Sequence, residues 1–264
     1  MSTTASTTRQ TTALSRTLGL ARFNWTLMVR NRTTMLYAFA VPIVPLALLF
    51  TVTDPDPMAG TATLGIALLM ALLFPGYYNL LSMFVTRRDE LVLKRLRTGE
   101  TRDPELVVSM ALPGLAIVLA VLVLTVPIAA VAGFDLPLNP LLLALGVLLA
   151  GVTFAALALW TAAWTKTAEA AQLTSGPVMI IALAGFMAPA VPERVAAFLE
   201  YLPGAAVNDL VRSAWFGLER GSDEATVGFW QSWVEVAPAL GILLAWTAFA
   251  LALAARSMRW EPRG

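Results

Sequence analysis

The ionisable residues whose spacing could do work are concentrated in one stretch, Arg87–Glu105 (RRDELVLKRLRTGETRDPE). On a helix, Asp89, Glu90, Lys94 and Arg97 could make short-range pairs, with Glu90 and Lys94 four residues apart. Leu91, Leu93 and Leu96 are interleaved with them. Asp89, Glu90, Glu100, Asp103 and Glu105 form the densest acidic set of the chain, but they alternate with basic residues rather than forming a metal cage. The sequence holds 0 His and 0 Cys. That removes a Ser-His-Asp triad, an imidazole base, thiolate chemistry and the commonest metal ligand. No G-x-x-x-x-G-K-[ST], G-x-S-x-G or H-E-x-x-H occurs, so nothing here cradles and hydrolyses a nucleotide in the usual way. The charged stretch therefore reads as a binding surface: a short helix docking a soluble protein, or a solvated loop.

Two further patterns lie inside apolar runs. Pro75, Tyr78, Asn79, Ser82 and Thr86 recur at spacings of three or four, and so do Ser175, Met179, Ala182 and Phe186. Polar stripes in hydrocarbon face either a cavity or a neighbouring helix.

The elements that must position these groups are membrane spans. The chain has 264 residues, is 58% hydrophobic and only 13% charged, and has a mean hydropathy of +0.73. Soluble domains carry roughly 25% charged residues. A span needs about 20 apolar residues. Six stretches qualify: Thr34–Val52, Thr61–Val85, Leu106–Ala132, Leu141–Trp164, Leu173–Val191 and Val236–Ala255. Their apolar runs are continuous, which excludes a period-two barrel. None carries an Asp, Glu, Lys or Arg in its interior, which argues against an ion-coupled transporter. Of the 18 Lys and Arg, all but Arg194, Arg212 and Arg220 fall on the side that would hold both termini. By the positive-inside rule that side is cytoplasmic. A net charge of +1 argues against a nucleic-acid partner.

Three segments are not spans. Residues 1–12 are polar and low in complexity and read as a disordered tail, without the apolar core of a signal peptide. Ala13–Arg32 reads as an interfacial helix with an apolar stripe of Leu14, Leu18, Ala21, Trp25 and Met28, serving as an anchor, as a lever on a partner, or as both. Its second apolar face, Leu20, Phe23 and Leu27, is a candidate for packing on protein. Pro192–Trp233 holds two short amphipathic pieces split at Leu202-Pro203-Gly204, which reads as a broken hairpin or an extracellular cap. The expected fold is thus all-α: a disordered tail (1–12) followed by one six-helix membrane domain (13–264).

This layout resembles the permease subunit of type-2 ATP-binding-cassette exporters. The segment Arg88-Asp89-Glu90-Leu91-Val92-Leu93-Lys94-Arg95-Leu96-Arg97-Thr98-Gly99 is similar to the coupling segment of actinobacterial drug-exporter permeases, with Leu91-Val92-Leu93 where many members carry Gly-Thr-Leu. Leu202-Pro203-Gly204 and Asp209-Leu210-Val211-Arg212 resemble the family's hairpin region. The resemblance implies a multi-pass protein of the bacterial cell membrane without enzymatic activity of its own. ATP and Mg would be bound by a separate ATPase partner, and a second permease copy, favoured as identical, would complete the path. It implies that Arg88, Glu90, Lys94, Arg95 and Arg97 couple to the ATPase. Tyr78, Asn79, Ser82, Ser175, Met179 and Phe186 become candidates for the path of a drug, antibiotic or lipid-like molecule. A polysaccharide or glycolipid exporter, a membrane-embedded lipid-modifying enzyme and a non-transporting anchor are the rival readings.

Overall fold

A computed structural model describes residues 12–51, 55–97, 102–222 and 224–257, without the side chains of Thr33, Lys94, Leu96 and Arg97. The expected tail, residues 1–11, and the Thr98-Gly99 stop therefore lie outside the described residues. The described residues are mostly helical and form no strand beyond one isolated bridge between Leu218 and Thr226. It is an all-α polytopic membrane protein. Five stretches are long and apolar enough to cross a bilayer: Thr34–Thr51, Pro57–Asp89, Asp103–Val131, Pro140–Trp164 and Gln231–Ser257. A sixth, Ala170–Phe186, is shorter.

Helix α1 (Ala13–Arg30) opens with Thr12 as N-cap, its hydroxyl accepting from Ser15 N. Its protein-facing side is not the second apolar face expected there, since Phe23 and Leu27 are exposed. Thr17, Ala21, Asn24 and Met28 are buried, whereas Leu14, Leu18, Phe23, Trp25 and Leu27 are exposed. Small and polar residues let α1 lie close against α6 (Asp103–Val131), and the long apolar side chains are left for lipid. Arg16 pairs with Glu105 at 2.9 Å, and Asn24 Nδ2 donates to Ser109 O at 2.8 Å.

Span one is α2 (Arg32–Ile43), which tightens into a 3-10 segment, Val44–Thr51. Pro42 and Pro45 remove two N–H donors there. Span two runs through α3 (Pro57–Ala71), a π-helical stretch Leu72–Tyr78 and α4 (Asn79–Asp89). Pro75 lies in the π stretch, and the carbonyl of Pro75 is approached so closely by α6 that Gly114 leaves no room for a Cβ. The elbow helix α5 (Val92–Arg97) follows, and α6 restarts with Pro104 in its first turn.

Span four, α7 (Pro140–Trp164), is the centre of the bundle. Its most apolar window is 67% buried, against 22% for span one. It packs most extensively on α12 (Gln231–Ser257). Asn139 caps α7 by accepting from Leu142 N, and donates to Ser232 Oγ at 3.0 Å, tying the start of α7 to the start of α12.

The fifth apolar run departs from the expected continuous helix over Leu173–Val191. It forms α8 (Ala170–Thr174) and α9 (Gly176–Phe186), then a 3-10 turn at Ala188–Ala190. Pro177 and Pro189 supply the interruptions. Beyond it, α10 (Glu193–Leu199) and α11 (Pro203–Ala214) form the hairpin. Helix α10 buries no residue, whereas α11 is almost wholly buried against α3, α7, α9 and α12. Gly185 and Gly204 make the α9–α11 crossing possible. A Cβ on Gly204 would overlap Ala182 O, and one on Gly185 would sit 2.7 Å from Leu202 Cβ.

Candidate functional site: an elbow and a cavity

One end of the bundle, with α1, α5 and the α7–α8 turn, holds most of the basic residues. The opposite end, with the hairpin, holds most of the acidic ones. The elbow lies at the basic end. Helix α4 closes at Asp89, and Leu91 takes a left-handed φ of 59° before α5 begins. A branched residue strains that conformation by about 1–2 kcal/mol. Leu93 is fully buried and holds α5 against the bundle. Asp89, Glu90 and Arg95 are exposed. Lys94 and Arg97 lie in α5, and their side chains are outside the described set.

Arg88 differs from the other members of the set. It is completely buried, its guanidinium donating to Ala162 O at 2.9 Å, Thr165 O at 2.6 Å and Lys166 O at 3.2 Å. Asp89 Oδ1 stands 3.7 Å from Nε. Arg88 therefore clamps the end of α7 and is not on the surface a soluble partner would touch. The sequence contains the signal: Tyr77, Leu81, Phe84 and Arg88 follow each other at spacings of four, three and four, and the first three are core residues.

The cavity lies between spans one, two and five and measures about 530 Å³, within the range of small-molecule sites. Span two contributes Phe74, Pro75, Tyr78, Asn79 and Ser82; α8 and α9 contribute Gln172, Met179 and the intervening Ser175. Tyr78, Asn79, Ser82, Ser175 and Met179 thus meet in one place, although the two stripes are about a hundred residues apart in the chain. Phe186 is not among them. It stands two helical turns beyond Met179 toward the acidic end, with its ring against Gly65 of α3. Asn31, the cap before span one, and Thr34, Tyr37 and Ala38 within it also line the cavity, and sequence reasoning missed them. The polar residues among them recur every three positions at the start of an otherwise apolar run, which was the available signal.

Several lining groups are already satisfied. Asn79 Nδ2 donates to Met28 Sδ of α1 at 3.3 Å, and Ser175 Oγ donates to Gln172 O at 2.9 Å. Asn79 therefore both packs across a helix interface and faces the cavity. Deeper in span two, the Tyr77 hydroxyl donates to Thr161 Oγ1 of α7 at 3.1 Å. The cavity wall offers aromatic rings, amides and hydroxyls, and no ionisable carboxylate or ammonium. Such a surface can solvate an amphipathic molecule.

The acidic end is a network of ties. Arg220 lies 3.8 Å from Asp209 and 4.0 Å from Glu200, and its backbone N–H donates to Glu235 Oε2 at 3.1 Å. Arg212 donates to the carbonyls of Glu219 and Ser222. Burial raises the Asp209 carboxyl above the usual range, and Arg220 and Arg212 oppose that rise.

No curated protein matches the chain. The sequence profile of the ABC-2 type transporter family matches residues 16–213, from the first turn of α1 to the last turn of α11. With that match spanning most of the chain, and with five membrane-length apolar helices and a sixth, shorter one, the chain belongs to the ABC-2 type transporter family as a transmembrane component.

Proposed function

We propose that this chain is the permease of an ATP-driven exporter whose cargo is hydrophobic or amphipathic: a drug, an antibiotic or a lipid-like molecule. The observation that carries the cargo assignment is the 530 Å³ cavity, walled by Tyr37, Phe74, Tyr78 and Met179 with scattered amides and hydroxyls. Rings and a thioether adapt to irregular apolar shapes. The few amides orient a polar end. A sugar exporter would call for a longer run of stacking aromatics than the three rings here.

The basic end is the cytoplasmic end in this reading, and both termini lie there. The unit is one membrane domain over 13–264. A separate ATPase, holding ATP and Mg, grips the elbow through Glu90, Lys94, Arg95 and Arg97, and α1 rests in the headgroup layer beside it. Two copies of the chain pair, each with its ATPase. Cargo enters between spans one, two and five and leaves past Phe186 toward the hairpin.

Purification from the native host is expected to bring down an ATPase of separate sequence. Reversing Lys94, Arg95 and Arg97 to glutamate lowers ATP turnover by the assembly while the spans still insert; unchanged turnover and export would remove the docking role. Asn79→Leu and Phe186→Ala change which compounds are exported. If both alter only the amount of protein in the membrane, the cavity residues serve packing alone.

A further inference from the structure

Arg88 is a charged side chain committed to the protein interior, and its partners form a continuous line. Helices α4 and α5 meet in a tight joint: Glu90 N donates to Thr86 O at 3.0 Å, Leu91 N to Arg88 O at 3.1 Å and Arg95 N to Leu91 O at 3.1 Å. Arg88 lies in that joint and fastens it to the last carbonyls of α7. Thr165, one of the residues held, places its hydroxyl 2.8 Å from that of Thr174 in α8. The next residue, Ser175, lines the cavity, as does Met179 one turn on.

A buried guanidinium is costly unless its donors are met. Backbone carbonyls at the C-terminal end of a helix meet it well, because they carry partial negative charge. The contact joins the elbow to the end of span four, and the Thr165–Thr174 hydroxyl pair continues it to the start of span five.

We propose that Arg88 is a positioning residue that transmits the displacement of the elbow to the fifth-span wall of the cavity, through Thr165 and Thr174. This rests on the exporter reading above. Without the strut, the elbow would follow the ATPase while span five stayed behind. With it, the α7–α8 turn moves as one body with α5, and the cavity changes shape when nucleotide is bound.

The absence of cysteine allows clean labelling. Spin labels at Leu36→Cys in span one and Leu173→Cys in α8 report the width between spans one and five; both positions are exposed, at 63% and 84%. The chain is assembled with its co-purifying ATPase, with labelled protein diluted into unlabelled, and distances are measured without nucleotide and after trapping with ATP and vanadate. The pair is expected to change distance in the parent. In Arg88→Gln the population of the changed distance falls about threefold or more. Arg88→Lys restores part of it, because an ammonium can still reach one carbonyl. Thr174→Val, which leaves Arg88 intact, has the same sign of effect and serves where the Gln variant does not assemble. ATP binding and basal turnover stay near the parent level in all three, which separates lost transmission from a damaged fold.

Parent-like distance changes in Arg88→Gln and Thr174→Val would overturn the strut and leave the exporter reading standing. A parent pair that stays fixed under trapping, with no ATPase in the preparation, would remove both. A Thr174→Val variant that responds fully while Arg88→Gln does not would overturn the route through span five.

Discussion

Replacing Gly185 by alanine tests whether the α9–α11 crossing is set by backbone contact. The new Cβ would stand 2.7 Å from Leu202 Cβ and 2.9 Å from Ala205 N, where ordinary contact begins at 3.4 Å. Neither neighbour is the free end of a flexible side chain, so the helices must part by about 0.5–0.7 Å. Overpacking of this kind costs about 1–3 kcal/mol. Alanine returns up to about 1 kcal/mol of helix propensity. The net expectation is a loss of about 1–2 kcal/mol. Gly19→Ala in α1 is the internal control, since nothing lies within 4 Å of its Cβ and only the propensity gain applies. Equilibrium unfolding of the purified chain in mixed micelles, followed by tryptophan fluorescence, reads both. Trp246 is a local reporter, because its Nε1 donates to Tyr201 O at the hairpin turn at 2.8 Å. The two substitutions must move stability in opposite directions. A Gly185→Ala chain as stable as the parent would refute the close crossing, and with it the account of how Phe186 is held against α3.

Two smaller changes test the interior. Tyr77→Phe removes the 3.1 Å bond to Thr161, whose hydroxyl keeps its own bond to Leu157 O; a loss of about 1 kcal/mol in the same unfolding assay is expected, and no loss would mean the tyrosine hydroxyl contributes nothing there. Asn139→Ala removes the α7 cap and the ties to Ser232 and Phe229, a loss of about 1–2 kcal/mol with faster amide exchange in the first turn of α7; unchanged exchange would refute the capping role.

The sequence shows unequally well which parts of this fold lie where. Continuous apolar runs mark the spans, and Asp103-Pro104 marks the restart after the elbow, because both are local signals. The polar faces of spans two and five are also local, at helical spacing. Their meeting in one cavity is not, since it depends on how α8 and α9 break at Ser175 and turn at Ala188–Ala190. The orientation of α1 misleads for a physical reason. Apolar residues on a helix between lipid and protein have two places to go, and here the small and polar Thr17, Ala21 and Asn24 take the protein side. Arg88 misleads similarly. Its charge suggests surface, but its register with Tyr77, Leu81 and Phe84 places it inside, and three carbonyls accept it there.

The central claim is that this membrane bundle supplies the path and a separate ATPase supplies the work. Proteoliposomes holding the chain alone, and proteoliposomes holding the chain with its co-purified ATPase, should be compared for uphill movement of amphipathic fluorescent probes, with and without ATP. Accumulation only in the complete assembly, and only with hydrolysable ATP, is the predicted result. Uphill movement by the chain alone would contradict the account.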